Sequence, residues 1–303
     1  MPCTYTPLRF PGGKSRLSGF LRDVIKANGL GNPLYVEPYC GGAGAALNLL
    51  FNEVVSDVHL NDLDRGIYSF WRFSTRDPEA LCDRIANVSL SVTEWEKQKD
   101  ILRSATPRAT LDIGFAALYL NRVNRSGILR GGLIGGRNQD GPWKMGARFN
   151  RESLIAKVRQ IGRNAHRIHV TRMNAATFLR HVARKLSGSV FLYLDPPYVK
   201  KGGSLYQNHY DAADHASIAQ FLRTQMPHPW VVSYDDCALV KKLYQGLPQL
   251  SHRLSYSAHL ARRRGREIVI LGPGVKLPGE SRPNSARPAP VRLAFVPPRR
   301  PAA

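Results

Sequence analysis

The stretch Ser189-Val190-Phe191-Leu192-Tyr193-Leu194-Asp195-Pro196-Pro197-Tyr198 decides how this chain folds. Its first six residues are mostly apolar and rich in β-formers, the pattern of a strand buried in a sheet. Proline cannot donate to a ladder, so the strand must stop before Pro196. A carboxylate and an aromatic ring are then presented at the strand's carboxyl end. In an open α/β sheet that edge is where ligands bind.

Similar runs flank this one. Leu34–Glu37, Asp57–Asn61, His169–Thr171 and Trp230–Tyr234 read as further strands, and Leu250–Tyr256 with Glu267–Leu271 as a terminal antiparallel pair. Helical patterns lie between them at Ala43–Phe51, Ile67–Phe73, Ala175–Leu186, Ala216–Gln225 and Ala238–Tyr244. Strands alternating with helices predict an α/β fold with a mostly parallel sheet covered on both faces.

The rhythm breaks between Asp77 and Arg163. Pro78–Asn87, Thr93–Arg103 and Leu111–Val123 look helical, and a Gly/Arg-rich piece, Arg125–Arg137, follows. Residues 77–163 are expected to form an inserted helical module carrying an exposed basic hairpin or loop. The main domain is then 1–76 with 164–271. Gly272 to Ala303 holds eight prolines and little apolar periodicity, which predicts a disordered or extended tail.

The chain carries 44 basic and 22 acidic side chains, a net charge of +22. The tail accounts for +5 of this (six Lys/Arg against Glu280), leaving +17 on residues 1–271. Such a field points to a polyanion, most often nucleic acid. Within it, Arg122, Arg125, Arg130, Arg137, Lys144, Arg148 and Arg151 stand against Asp140 alone. A segment of that kind can reach phosphates and fork onto guanine, although a solvated loop would look the same.

The four cysteines, Cys3, Cys40, Cys82 and Cys237, are scattered without metal spacing. Neither zinc nor a disulfide is expected, which fits a reducing, cytoplasmic setting. No stretch is long and apolar enough to span a membrane, and the first residues lack the regions of a signal peptide. The expectation is an intracellular monomer, acting on the nucleoid, with no membrane or metal partner.

Val36-Glu37-Pro38-Tyr39-Cys40-Gly41-Gly42-Ala43-Gly44 reads as strand, Gly-rich turn and helix. Glycines there allow close approach of a ligand to backbone, though an ordinary βα turn has the same look. The spacing does not match G-x-G-x-x-G, so nothing supports a dinucleotide. The second strand ends at Asn61-Asp62-Leu63-Asp64, where an acid can bind ribose hydroxyls. Phe10-Pro11-Gly12-Gly13-Lys14 adds a tight turn with an aromatic and a cation.

These pieces, in this order, resemble the Dam-like (D12 class) N6-adenine DNA methyltransferases over roughly residues 8–271. The resemblance rests on Arg9–Lys14, Val36–Tyr39 with Gly41–Gly44, Asn61-Asp62, Leu120-Asn121-Arg122 with Gly127, Asp195–Tyr198, and Tyr206–Tyr210 followed by Asp214-His215. It implies a Rossmann-like catalytic domain using S-adenosylmethionine, with residues 77–163 as a target-recognition module. In that scheme Phe10 stacks near the cofactor and Lys14 holds its carboxylate. Glu37, Pro38, Tyr39, Gly41, Gly42 and Gly44 shape the pocket, Asp62 takes the ribose, and Asp195 borders the cofactor.

The same resemblance makes Asp195, Pro196, Pro197 and Tyr198 the catalytic set. Asp195 and the Pro196 carbonyl would accept the two N6 hydrogens, and Tyr198 would stack on a flipped base. Asn121, Arg122, Arg125, Arg130, Arg137, Lys144, Arg148, Tyr206 and Tyr210 would contact DNA, taken to be duplex. The chain departs from relatives at Arg125, where they carry an aromatic, and at Ser126 and Gly132. It also lacks their acid near Asn174-Ala175-Ala176. Two other readings stay open: a methyltransferase of RNA or single-stranded DNA, and a catalytically silent DNA-binding protein on the same scaffold.

Overall fold

The computed structural model describes residues 5–10, 17–104, 106, 108–199, 210–255, 264–279 and 294–296. Eight strands form one sheet: β1 Leu34–Glu37, β2 Asp57–Asn61, β3 Ile168–Thr171, β4 Val190–Leu194, β5 Trp230–Asp235, β6 Gln249–Ser255, β7 Arg264–Leu271 and β8 Ala294–Val296. Their order is β3-β2-β1-β4-β5-β7-β6-β8. The first five are parallel, and β7, β6 and β8 continue antiparallel. The order reverses between β1 and β4, which opens a crevice at their carboxyl ends.

Period-two alternation sorts each strand onto two faces. Tyr35, Phe191, Tyr193, Val231 and Val269 enter one core, while Val36, Leu192, Leu194, Val232 and Ile268 enter the other. Continuous apolar runs are what a doubly covered parallel sheet requires. The second core is closed by α8 (Ala175–His181), α9 (Ala212–Thr224) and α10 (Ala238–Leu243) through Phe178, Ile218, Phe221 and Val240.

The first core is closed by α1 (Ser18–Ala27), α2 (Gly44–Phe51) and α3 (Arg65–Arg76), then by α4 (Pro78–Asn87), α5 (Val92–Arg103), α6 (Leu111–Val123) and α7 (Arg151–Arg163). Leu81, Ile85, Trp95, Phe115, Leu154 and Val158 from the last four helices join Leu21, Leu47 and Trp71 in one cluster. Each such buried side chain is worth about 1.5–3 kcal/mol. A Cβ on Gly114 of α6 would lie 2.9 Å from the backbone of Ser69 in α3, so these helices touch main chain to main chain. Residues 77–163 therefore share one core with the sheet.

Most starts have a chemical cause. Asp64, Asp77, Ser91, Thr110 and Asn150 each accept a backbone N–H from the first turn of the helix they precede. Two helices, α1 and α7, were not expected from sequence. The stretch anticipated as a disordered or extended tail is tied to the fold in places: Val275 is buried, Lys276 exchanges two hydrogen bonds with Asn28, and Ala294–Val296 pairs with β6. The basic hairpin is not a regular ladder. One bridge, Asn124 to Leu133, closes a loop that begins with a 3-10 turn at Arg125–Gly127.

Candidate active site

Strand parity gathers the site. Glu37, Asp195, Ser233 and Asp235 occupy the same alternation as Tyr35, Tyr193 and Val231, and Glu267 lies across the ladder from Asp235. Carboxylates from β1, β5, β7 and the residue after β4 thus project from one face at the crevice.

Asp195 is held from β5. Ser233 Oγ donates to Asp195 Oδ1 at 2.8 Å, and the Tyr193 hydroxyl lies 2.7 Å from Ser233 Oγ. With Ser233 donating to the acid, Tyr193 must donate to Ser233, so the two hydroxyls form a chain ending at the carboxylate. The following residues are pinned as well. Val199 N–H donates to Asp235 Oδ1 at 3.0 Å, and the Tyr198 hydroxyl donates to Glu267. The Tyr198 ring is fixed by its own hydroxyl. Tyr198→Phe is expected to remove that anchor and cost about 1–3 kcal/mol of stability, read as a lower urea midpoint with an unchanged slope.

The Gly-rich turn is built around Asp62. Its Oδ2 accepts from Gly41 N–H at 2.8 Å, and its Oδ1 from Asp64 N–H at 2.9 Å. Trp71 Nε1 donates to the Gly41 carbonyl at 2.8 Å, so the peptide is gripped from both sides. Gly41 and Ala43 have φ of 44° and 46°, and the strain at Ala43 marks a turn held by its surroundings. Phe10 covers the turn: a Cβ on Gly42 would lie 2.9 Å from its ring. Behind it, buried Asn61 donates to the Pro38 and Met173 carbonyls and accepts from Thr171 Oγ1 and Met173 N–H. Asn61 thereby ties together the ends of β1, β2 and β3.

Burial sets the charge state. Glu37 lies at 4% exposure and receives the Tyr35 hydroxyl at 2.8 Å. Desolvation, with Asp195 adding to it, raises its carboxyl to about 8. Burial, followed by the nearby Asp64 charge, raises Asp62 to about 7. Both acids are therefore reluctant to ionise in the assembled fold.

The polypeptide places the other expected residues unevenly. Tyr39 and Tyr210 meet hydroxyl to hydroxyl at 3.2 Å with rings edge-on, so Tyr210 rests against the turn that follows β1. Asn121 is fully buried; its amide donates to the Arg9 and Gly127 carbonyls and its oxygen accepts from Arg9 N–H. Arg122 turns inward to the carbonyls of Arg148 and Pro7, and burial lowers it to about 10. These two groups are oriented to the chain itself, while Arg125, Arg130, Arg137, Lys144 and Arg148 are exposed. Arg137 pairs with Glu96. Lys14 and Tyr206 lie outside the described residues. Asn174 caps α8 by accepting from Ala176 N–H and Thr177 N–H.

A family model described as D12 class N6 adenine-specific DNA methyltransferase matches residues 10–259. The chain belongs to that family. It is thus an S-adenosylmethionine-dependent adenine methyltransferase, and its sheet order β3-β2-β1-β4-β5 is Rossmann-like. Among solved structures, this D12-class enzyme is similar to the rRNA methyltransferase aviRa from Streptomyces viridochromogenes, 16% identical, covering 87% of this chain and 86% of that chain with a TM-score of 0.39. It is also similar to the putative methyltransferase yhhF from Escherichia coli, 10% identical, covering 88% and 90% with a TM-score of 0.37. A third is TrmN from Thermus thermophilus, 12% identical, covering 83% of this chain and 52% of that chain with a TM-score of 0.35. No curated protein matches the chain.

Several residues that build the site of this D12-class enzyme carried little signal in the sequence. Ser233 was visible as the one polar residue inside Trp230-Val231-Val232-Ser233-Tyr234. Asn61 stood in the Asn61-Asp62 pair. Trp71, Tyr193 and Glu267 look like ordinary core residues until their partners are known.

Proposed function

We propose that this chain is a site-specific DNA adenine N6-methyltransferase acting on duplex DNA, with the target adenine flipped into the β1/β4 crevice. The observation that carries the reading is Asp195, fixed by Ser233 and Tyr193 at the carboxyl end of β4, within a chain of the D12 family. S-adenosylmethionine supplies an electrophilic methyl group when bound. The Asp195 carboxylate and the Pro196 carbonyl would accept the two N6 hydrogens, turning the nitrogen lone pair toward the methyl. The positive charge developing on N6 is favoured by the adjacent carboxylate. Tyr198, with its hydroxyl held by Glu267, supplies a fixed wall for the base.

Cofactor positioning falls to the Gly41–Gly42 turn under Phe10, to Asp62 toward ribose hydroxyls, and to Glu37 with Pro38, Tyr39 and Gly44 around the rest. Lys14 is assigned to the carboxylate on its sequence motif. Asn121 and Arg122 would act on DNA indirectly, by shaping the loop that carries Arg125, Arg130, Arg137, Lys144 and Arg148. Flipping costs a few kcal/mol, which phosphate contacts from those cations offset.

The test is transfer of tritiated methyl to duplex DNA, single-stranded DNA and RNA of matched sequence, followed by mapping of N6-methyladenine. Duplex DNA is expected to be the best acceptor, with label at one short sequence. Preference for RNA or single strands would overturn the duplex assignment, and no label on any polymer would overturn the enzyme reading.

The raised acids give a pH prediction. A cation-bearing cofactor is bound best by ionised Glu37, so below about 8 binding must first remove its proton. Affinity is therefore expected to climb as pH rises from 6 to 8, by at most about tenfold per unit for one proton. Calorimetry in two buffers of different ionisation enthalpy should show net proton release at pH 7. Glu37→Gln should flatten the slope. The sign is opposite for the free fold: Glu37 keeps a proton that the unfolded chain loses above 4.5, so its burial destabilises progressively up to about 8.

A further inference from the structure

Trp143 is the one large apolar side chain left open to solvent among the described residues, at 69% exposure. The chain has four tryptophans, and the other three, Trp71, Trp95 and Trp230, are buried. An indole in water forgoes the stabilisation that burial gives.

The backbone around it is tightly built. Gln139, in the left-handed region at φ 55°, donates through Nε2 to the carbonyls of Ile134 at 2.8 Å and Gly136 at 2.5 Å. Its Oε1 accepts from Met145 N–H at 2.8 Å, and the Met145 side chain is buried in the core. Lys144 Nζ reaches the Gln139 carbonyl. Gly135 has φ 85°, and the space a Cβ would need there is taken by the Trp143 carbonyl at 2.8 Å. The main chain at Trp143 is thus anchored before and after, while its ring faces water.

The surroundings say what covers that ring. Residues 122–151 carry seven cations against Asp140, and Lys144 and Arg148 beside Trp143 are exposed. The cores of protein interfaces are depleted in charge, and two copies at +22 each would repel. A partner that brings both phosphates and flat aromatic faces matches this patch.

We propose that Trp143 is a base-stacking residue, leaving water by lying against an exposed base while the neighbouring cations hold phosphates. This rests on the nucleic-acid reading above and adds to it a contact with the bases. Anchoring the loop beforehand lowers the ordering cost of that contact.

Because the other indoles are buried, the part of the intrinsic fluorescence that acrylamide can reach belongs to Trp143. Duplex and single-stranded oligonucleotides are expected to quench the emission and to shield it from acrylamide. Heparin, a polyanion without bases, should bind and do neither. Trp143→Ala should abolish the change and weaken oligonucleotide binding roughly tenfold to a hundredfold. Trp143→Phe should keep most of the affinity, and both variants should melt at the wild-type temperature.

Oligonucleotide binding with unaltered emission and acrylamide access would overturn the proposal, as would a Trp143→Ala affinity within twofold of wild type. Methyl transfer without a Trp143 signal would remove the stacking role and leave the enzyme standing. No binding to any nucleic acid would remove both. Shielding that depends on protein concentration alone, with a dimer seen by sedimentation, would assign the ring to a contact between copies and overturn stacking.

Discussion

Asp195→Asn is expected to lower the rate of methyl transfer by about 10²–10⁴-fold while DNA affinity stays within a few-fold of wild type. The amide keeps an oxygen that can accept from Ser233, which donates to Asp195 at 2.8 Å, so the local fold survives. What it loses is the second acceptor, now an NH2 that opposes the N6 hydrogens instead of receiving them. Asp195→Ala removes both oxygens and should be at least as inactive, with Ser233 left without that acceptor. Single-turnover kinetics with labelled cofactor separates the chemical step from binding. If either variant methylates within tenfold of wild type, Asp195 does not orient the nucleophile and the crevice must work through another group.

The second large effect is structural and sits at Gly127. Its φ is 75°, and a Cβ there would lie 2.2 Å from the Arg9 carbonyl oxygen and 3.0 Å from the Arg9 carbonyl carbon. This is backbone against backbone, so no side chain can swing aside. The same carbonyl accepts from Asn121 Nδ2 at 2.7 Å, and that amide also holds the Gly127 carbonyl at 2.8 Å. Gly127→Ala is therefore expected to cost about 3 kcal/mol or more, combining positive-φ strain with a broken buried clamp. Thermal unfolding should move down by roughly 6–12 °C. Arg9 is followed by Phe10, which covers Gly41 and Gly42, so cofactor affinity should fall with it. Gly132→Ala is the control: nothing lies within 4 Å of its added Cβ, and its melting temperature should not move. Equal melting of the two variants would mean the Arg9–Asn121–Gly127 clamp carries no weight.

Much of the fold was legible because its signals are local. The runs at Leu34–Glu37, Asp57–Asn61 and Val190–Leu194 became strands with those bounds, and Pro78–Asn87 and Leu111–Val123 became helices with theirs. Periodicity and caps decide such elements without reference to distant residues. The helix at Arg151–Arg163 was missed because its sequence is strongly charged, and only Leu154, Val158 and Ile161 mark its buried side. The end of the ordered chain was placed too early, since Val275 is buried in the first core and Lys276 is bonded to Asn28 at the end of α1, far away in sequence.

The sequence alone determined that an acid must stand where β4 stops, because two prolines end the ladder there. It also determined that a Gly-rich turn follows β1 and an acid follows β2, and that the chain is strongly basic. Only the tertiary structure decided who their neighbours are. Strand order brings β5 beside β4, and with it Ser233 to Asp195; β7 beside β5 brings Glu267 to Tyr198. The burial that raises Glu37 and Asp62 also belongs to the assembled fold, because desolvation comes from every element packed around a carboxyl. So does the division of the basic segment into Asn121, Arg122 and Arg151, which bind main chain, and Arg125, Arg130, Arg137, Lys144, Arg148 and Trp143, which are exposed. Side-chain type travels with the sequence, whereas the partner across a sheet or a loop depends on how distant segments pack.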